Sequence, residues 1–423
     1  MSRARSVVVC FGALALGASA LTSPAGATAP ESQTTAQKAV EWLATQQQPD
    51  GGFEVSGFGG YETPDAVLAL AEAAQTGSTW SAAEARTGVA ALSNGTGLDA
   101  LDALDAFAAS GLNAGQAAKL IVLDAVPLGL DPAAFDPTGN GGPVDLTAIV
   151  DAGAQPDGTF GAFNATLYAA LALRLTDGSV PAVTIQAITA AQQGNGSWNF
   201  AGDAAGTDVD PDTTGRAVEA LVAGGVPPND ATITKALAFF AASQQADGAW
   251  PSAYDSGNPN STALAIRGIV AAGFDSESSC WRDTVDAAKQ GTFYPSPDEY
   301  LRSAQTAVGN IASPNDQWGL NTFPTSESVA SLLRGWVPIS RGSARTCSSA
   351  TTTTTTVPST TSTTVATQVQ GATALKGATA ARSTLPNTGT RSGTLALVGA
   401  ISLATGGASQ VVARRRDRRD RRG

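Results

Sequence analysis

The chain of 423 residues contains no histidine, and it has only three cysteines and one methionine. Without histidine there is no imidazole base for catalysis and no imidazole ligand for zinc. Basic residues are also few, with 25 Lys and Arg against 36 Asp and Glu. Residues 28–389 carry 34 acidic and 15 basic side chains, a net charge of −19. So acidic a segment argues against nucleic-acid binding and suits a soluble surface protein.

The N-terminus has the features of a secretory signal peptide in the expected order. Arg3 and Arg5 precede the apolar run Val7 to Leu21, and small residues including Ala25-Gly26-Ala27 follow. The charged start, the apolar centre and the A-x-A site predict a signal peptide over residues 1–27, cleaved after Ala27. A retained membrane anchor is the alternative interpretation.

Export would place the remaining cysteines in an oxidising compartment. Cys10 leaves with the signal peptide, so that Cys280 and Cys347 remain. We expect a disulfide between these two, because exported proteins keep such bonds. Two free thiols are the alternative.

The C-terminal part of the chain combines four segments. Residues 347–384 are rich in Thr and Ser, a composition that predicts a disordered stalk without a core. The motif Leu385-Pro386-Asn387-Thr388-Gly389 follows. Residues 394–413 carry no charge and are long enough to cross a bilayer as a helix. Residues 414–423 form a basic tail, which would hold that end in the cytoplasm.

This order of segments resembles the cell-wall sorting signal of sortase substrates, which reads LPxTG, apolar span and positive tail. The resemblance covers residues 385–423. It implies that sortase cleaves between Thr388 and Gly389 and joins the new Thr carboxyl to the cell wall. The expected location is therefore the bacterial surface, with sortase and peptidoglycan as partners. The alternative is a chance LPNTG in front of an ordinary tail anchor.

The middle of the chain, residues 31–346, is predicted to be all-α. Apolar residues recur at helical spacing, as in Ala66 to Ala71 and Leu167 to Leu175, and Gly or Asn usually follows as a helix stop. A short motif recurs in the turns, where Asp-Gly or Asn-Gly supplies the bend. Its aromatic residue can pack over a helix end, and its Gln can bond free backbone groups. The copies begin at Gln48, Gln155, Gln193 and Gln245, and a degenerate copy runs from Lys289 to Phe293.

Two of these turns, Gln193-Gly194-Asn195-Gly196-Ser197-Trp198 and Gln245-Ala246-Asp247-Gly248-Ala249-Trp250, resemble the QW repeats of squalene and hopene cyclases. The likeness covers about residues 50–340. It implies a single (α/α)6-type toroid in which the turns tie the outer helices and are not catalytic. The same superfamily holds protein prenyltransferases and cobalamin carriers. Prenyl transfer needs zinc held by Asp, Cys and His, which this chain lacks, and cobalamin carriers have a further β-rich domain for which the stalk leaves no room.

The best candidate for chemistry is the acidic cluster Asp208-Val209-Asp210-Pro211-Asp212-Thr213-Thr214. Clustered carboxylates raise each other's pKa, so that one can stay protonated as an acid. The cluster resembles the D-x-D-D-T motif with which such cyclases protonate an alkene, and Asp210 and Asp212 are the candidate catalytic residues. The adjacent Asp-Asp pair of that motif is missing. The structural alternative is that Asp212 or Thr213 caps the next helix.

A calcium site is a third interpretation of the same cluster. Asp208, Asp210, Asp212, Thr214 and Glu219 fall at positions 1, 3, 5, 7 and 12 of an EF-hand-like loop. Position 6, where glycine is needed, holds a threonine. No other cofactor is expected.

The sequence favours a wall-anchored binding or adhesion module, with a small apolar ligand or a glycan as its partner. The alternative is an enzyme, either a cyclase-like isomerase or a glycan-acting hydrolase or lyase that uses the acidic cluster. A spacer without a ligand is the third possibility, since fold alone does not give function. Six aromatic residues either line a central cavity or form plain core. They are Phe239, Phe240, Trp281, Tyr294, Trp318 and Trp336.

Overall fold

The computed structural model describes residues 29–53, 62–93, 95–140, 142–252, 255–286, 293–315 and 321–336. All of them belong to one compact unit of the chain. The described residues are 53% helical and form no strand, so the prediction of an all-α protein is confirmed. None of the described helices is long and apolar enough to cross a membrane. The predicted signal peptide, stalk, sorting motif, apolar span and basic tail lie outside the described residues.

Fourteen α-helices lie within the described ranges. A π-helical turn, Ile121–Ala125, continues α5, and a short 3-10 helix covers Pro132–Ala134. The helices are α1 (Pro30–Ala44), α2 (Thr63–Ala73), α3 (Ala82–Ala90), α4 (Ala100–Ala108), α5 (Ala114–Leu120), α6 (Leu146–Ala152), α7 (Phe163–Thr176), α8 (Ala182–Ala190), α9 (Pro211–Ala223), α10 (Ala231–Ser243), α11 (Pro259–Ala271), α12 (Cys280–Val285), α13 (Pro297–Ser303) and α14 (Phe323–Leu333).

Six helices, namely α2, α5, α7, α9, α11 and α14, are buried along most of their length. They pack in the order α2, α14, α11, α9, α7, α5, and the π-helical turn after α5 packs against α2, so that the series of contacts closes. Small residues permit these contacts. At the α9–α11 contact, for example, a Cβ on Gly215 would lie 2.0 Å from the Leu264 carbonyl oxygen.

A repeated turn joins an outer helix to the next buried helix in five places. The N–H of its first residue donates to the carbonyl four residues later, at 2.8 Å each time. Its fourth residue is a glycine with φ between 85° and 105°, a left-handed conformation that glycine adopts without steric cost. The predicted turn motif therefore has one local structure. The five turns are Gln48–Gly52, Gln155–Thr159, Gln193–Ser197, Gln245–Ala249 and Thr306–Asn310.

One hydrogen bond ties each turn to the buried helix that follows. The backbone N–H of the residue after the turn donates to a threonine Oγ1, and the distance is 3.0 Å in all five cases. Trp198 and Trp250 are fully buried, and their indole nitrogens donate to carbonyls of the preceding outer helices at 2.6 and 3.0 Å. The structural interpretation of the motif is confirmed. The pairs are Phe53–Thr63, Phe160–Thr166, Trp198–Thr214, Trp250–Thr262 and Ile311–Thr325.

One detail of the sequence interpretation needs correction. The last turn is Thr306–Asn310, followed by Ile311, and the predicted aromatic Phe293 is 84% exposed. The other residues of the predicted degenerate copy, 289–292, lie outside the described residues. The motif's own Gln155, Gln193 and Gln245 donate to backbone carbonyls as predicted. The glutamine that precedes the motif also donates, to the carbonyl of the turn glycine. These preceding glutamines are Gln47, Gln192, Gln244 and Gln305.

The turn glycines provide a test of this architecture. A Cβ on Gly196 would lie 2.3 Å from the Lys235 carbonyl oxygen of α10, whereas one on Gly225, also at positive φ, would meet nothing within 4 Å. We expect Gly196→Ala to lower the free energy of unfolding by about 1–3 kcal/mol more than Gly225→Ala, because it adds overpacking to the same backbone strain. Urea unfolding of the two variants measures the difference. Equal losses would contradict the close contact.

Candidate functional site

Each of the six buried helices contributes a polar side chain to a common region, which we call the polar centre. These side chains are close enough to alter one another's ionisation or to hydrogen-bond. All of them lie within the first two turns of their helices. The polar centre therefore lies at the N-terminal end of the buried helices. Its members are Asp65, Lys119, Tyr168, Asp212, Arg216, Ser261 and Glu327.

The cations of this region are held in ion pairs. Lys119 Nζ lies 2.5 Å from Asp65 Oδ2. Glu219, one turn further along α9, accepts from Arg216 Nη1 at 2.6 Å and from Arg267 Nε at 3.0 Å. Burial would lower the pKa of Lys119, but the Asp65 carboxylate raises it above its usual value. The three cations are thus matched by two carboxylates in direct contact.

Two further carboxyl groups of the polar centre have raised pKa values. Burial raises the pKa of Glu327 to about 8, and the nearby Asp65 carboxylate adds to that shift. Burial also raises the pKa of Asp212 to about 7, together with the repulsion of Asp210. Glu327 Oε2 and Asp212 Oδ1 are buried without a hydrogen-bond partner among the described residues. Burial and the neighbouring carboxylates thus favour the protonated form of both groups.

A third carboxyl, Asp124, lies in the π-helical turn that follows α5. Its side chain is fully buried, and neither oxygen has a hydrogen-bond partner within the described residues. Burial raises its pKa well above the usual value, and Asp65 contributes to the shift. A π-helical turn is a rare feature that is frequent at functional sites.

A small cavity of ≈ 10 Å³ adjoins the polar centre. Its polar lining is Asp65, Arg216, Arg267, Ser326 and Glu327, and Arg267 Nη2 and Glu327 Oε2 are without partners there. One water molecule needs roughly 10–15 Å³ of such space. The cavity can therefore hold a group of the size of a water molecule or a hydroxyl. Its apolar lining is Leu68, Leu123 and Ala330.

A second cavity of ≈ 10 Å³ lies further along the buried helices, between Glu219, Arg267 and Trp336. Trp336 is fixed there, because its indole nitrogen donates to the Val122 carbonyl at 2.9 Å. The Glu72 carboxylate accepts from the backbone N–H groups of residues 335 and 336 at 2.6 and 2.8 Å. The last described segment of the chain is thereby fastened to α2.

The residues of the predicted acidic cluster have different hydrogen-bond partners in the structure. Asp210 caps α9, with Oδ1 accepting from the Thr213 N–H at 2.9 Å, and the cap is therefore Asp210 instead of the predicted Asp212 or Thr213. Asp208 Oδ2 accepts from the Asn199 amide at 2.9 Å. Of the two candidate catalytic residues, Asp212 joins the polar centre. Asp210 lies next to it and has its pKa raised by burial.

The five residues of the predicted calcium loop do not converge. Helix α9 begins at Pro211, inside the loop, and places Glu219 against Arg216 and Arg267. Thr214 Oγ1 accepts the N–H of Trp198 instead. No group of three or more Asp, Glu, Cys or His side chains among the described residues is arranged to hold a metal ion.

The predicted aromatic set is mostly core. Phe240, Trp250 and Trp281 pack in a series, with ring centroids 5.6 and 5.8 Å apart. Trp336 alone of the set borders the second cavity, and Trp318 lies outside the described residues.

Cys280 is disulfide-bonded. Cys347 lies outside the described residues, so the pairing of these two cysteines stays a prediction.

Sequence reasoning did not single out Lys119, Arg216, Arg267 or Glu327. A signal was present, because each stands within a helix whose other residues are mainly small or apolar. Charged side chains in helices that are buried on every face are rare and usually paired. The sequence did not show, however, that these helices are buried on every face.

Comparison with known proteins found no matching family model. No curated protein matches the chain either. Among solved structures, the apo type II terpene cyclase MstE from Scytonema is 15% identical with a TM-score of 0.49, over 72% of this chain and 97% of the cyclase. A substituted form of that cyclase, in complex with its substrate geranylgeranyl dihydroxybenzoate, is 14% identical with a TM-score of 0.48 over the same shares.

The raised pKa of Glu327 predicts a pH-dependent stability. In the unfolded chain this carboxyl titrates near its ordinary pKa of 4.5, and in the folded chain at about 8. The folded state therefore binds more protons between these values, and its stability falls as pH rises through that window, by up to about 1.4 kcal/mol per pH unit. We expect Glu327→Gln to flatten this decline, and thermal unfolding between pH 5 and pH 9 measures it. The control is Glu299→Gln at an exposed position. Parallel curves for wild type and Glu327→Gln would contradict the buried, protonated carboxyl.

Proposed function

We propose that this chain is an exported protein, anchored to the bacterial cell wall by sortase, whose helical part is an (α/α)6-type toroid that binds a polar ligand. The surface location rests on the ordered features of the two chain ends. The toroid rests on the closed series of contacts among six buried helices. The repeated turns that fasten outer helices to buried ones support the same arrangement.

The single observation that carries ligand binding is the set of unpartnered polar atoms in the polar centre and in the cavity that adjoins it. Glu327 Oε2, Asp212 Oδ1 and Arg267 Nη2 are buried without hydrogen-bond partners in the described part of the chain. Each such atom costs about 1–3 kcal/mol if it stays unsatisfied. A helical core whose only task is to be a spacer would gain stability from apolar residues at these positions. Their presence supports a site that is completed by a bound molecule.

The charges also define which ligand suits the centre. A hydrocarbon ligand would desolvate Glu327, Arg216 and Arg267 without offering a hydrogen bond, which is costly. The small apolar ligand that the sequence allowed is therefore less suited than a polar one. Export and the acidic composition agree with a soluble, water-borne ligand.

The wall anchor is tested by Thr388→Ala. Sortase must recognise and cleave at this threonine, so we expect the variant to disappear from the wall fraction and to accumulate in the membrane or the medium. Thr390→Ala, two residues outside the cleaved bond, serves as the matched control. Immunoblots of fractionated cells after muramidase digestion measure the distribution. A Thr388→Ala protein that stays linked to peptidoglycan would exclude sortase anchoring.

A second candidate function is acid catalysis by Asp212, and one observation favours it. Its carboxyl has a pKa raised to about 7 by burial and by Asp210, so it can hold a proton at neutral pH and give it up in a reaction. If it protonates an alkene, the proton comes from solvent, and a product made in D₂O carries deuterium at the protonated carbon. We expect Asp212→Asn to abolish this label in products made from soluble polyprenols, and Asp151→Asn, at an exposed site, to retain it. The absence of any labelled product with the wild-type protein would remove this candidate.

A further inference from the structure

Lys119 and Asp65 form a buried pair whose atoms are close enough to react. Lys119 Nζ lies 2.5 Å from Asp65 Oδ2, and the two side chains are 15% and 5% exposed. Because a carbon–oxygen bond is about 1.2 Å long, Nζ lies within about 3.7 Å of the carboxyl carbon Cγ. Reacting atoms in a productive arrangement are about 3–3.5 Å apart. Little movement is therefore needed to bring the nitrogen onto the carboxyl carbon.

The surroundings of this pair favour a neutral product over two charges. The centre of the Phe323 ring lies 5.7 Å from Lys119 Nζ and covers it on one side. An ammonium and a carboxylate that are taken out of water keep a desolvation cost that their attraction offsets only in part. An amide carries no charge and avoids that cost. Its hydrolysis would also need water at a carbon that is buried.

A proton carrier and a space for a leaving water molecule both adjoin Asp65. Asp65 and Glu327 line the same cavity of ≈ 10 Å³, which is about the space that one water molecule needs. Burial and the Asp65 carboxylate raise the pKa of Glu327 to about 8, so that this carboxyl carries a proton at neutral pH. Its Oε2 has no hydrogen-bond partner among the described residues. Glu327 can therefore donate a proton within this site and take one back.

We infer that Lys119 and Asp65 become joined by an isopeptide bond, formed with loss of one water molecule and with Glu327 as the proton carrier. This modification goes beyond the proposed ligand binding and does not depend on it. The bond would link α2 covalently to α5, where the π-helical turn after α5 already packs against α2. Like a disulfide, such a cross-link closes a loop and restricts the unfolded chain.

The reaction balances without any further reactant. Burial acts to lower the pKa of Lys119, but the Asp65 carboxylate raises it, so the pair begins as an ammonium and a carboxylate. The ammonium gives one proton to the carboxylate, and the resulting amine attacks Cγ to form the N–C bond. One Cγ–O bond then breaks, and the departing hydroxyl takes the proton of Glu327 and leaves as water. A second proton passes from the nitrogen to Glu327, which ends in its original state.

Tryptic digestion of the purified, denatured full chain followed by mass spectrometry tests the bond. Trypsin cuts after a free lysine but not after one whose Nζ is part of an amide. We expect residues 39–86 to be joined to residues 87–174, with no cut after Lys119. The joined peptide should weigh one water molecule less than the sum of its two parts. Separate peptides 87–119 and 120–174 would show an ordinary ion pair and overturn the inference.

Two variants assign the roles of the nitrogen and the proton carrier. Lys119→Arg keeps a positive charge beside Asp65 but has no amine, so we expect the joined peptide to disappear, whereas Lys38→Arg at an exposed position retains it. Glu327→Gln keeps the size of the side chain but cannot carry the proton. We expect it to lower the joined fraction of newly made protein at least about tenfold, and Glu299→Gln, at an exposed position, to leave that fraction unchanged.

Circular dichroism of each variant confirms that it is folded. A joined fraction in Glu327→Gln equal to that of the wild type would overturn the role of Glu327. Joined peptides that persist in Lys119→Arg would overturn the assignment of the nitrogen. The digest of the wild type needs no variant and decides by itself whether the bond exists, and a negative result there leaves the ligand-binding proposal as it stands.

Discussion

The hydrogen bond between a turn and the threonine of the next buried helix underlies the whole arrangement. It occurs five times at 3.0 Å, and each copy sets where a buried helix begins relative to the outer helix before it. The left-handed glycine in each turn brings the turn against backbone atoms of an outer helix or of the residues just before one. Together these contacts align the first turns of the buried helices, and the polar centre is built from those turns. The site is thus a consequence of the repeat.

Burial then determines the chemistry of the polar centre. Small residues such as Gly215 and Gly268 let neighbouring helices approach closely, and close packing excludes water from the charged side chains. Buried cations need partners, which explains the ion pairs of Lys119, Arg216 and Arg267. Three carboxyls remain outside those pairs, and burial raises the pKa of each. They are Glu327, Asp212 and Asp124. Paired charges, and carboxyl oxygens without partners among the described residues, together make the centre strongly polar.

The acidic cluster shows how a sequence pattern can contain residues with different roles. Their spacing in the sequence predicted either an acid catalyst or a calcium loop. The residues concerned are the carboxylates of Asp208, Asp210, Asp212 and Glu219 and the hydroxyl of Thr214. The helix instead starts at Pro211, and from there 3.6 residues per turn distribute the side chains around its axis. Asp210 caps the helix, Glu219 pairs with arginines and Asp212 enters the polar centre.

The sequence by itself determined the helical class, the positions of four of the five described turns and the structural role of the turn aromatics. These are local properties. Helical periodicity, a turn glycine and an aromatic residue after the turn can each be recognised within a short stretch of sequence. It missed the turn at Thr306–Asn310, since Ile311 takes the place of an aromatic there. Only the tertiary structure brought Lys119, Arg216 and Glu327 together from helices distant in the chain. Their partners and pKa values depend on burial and on contacts between helices, which no pattern along one helix contains.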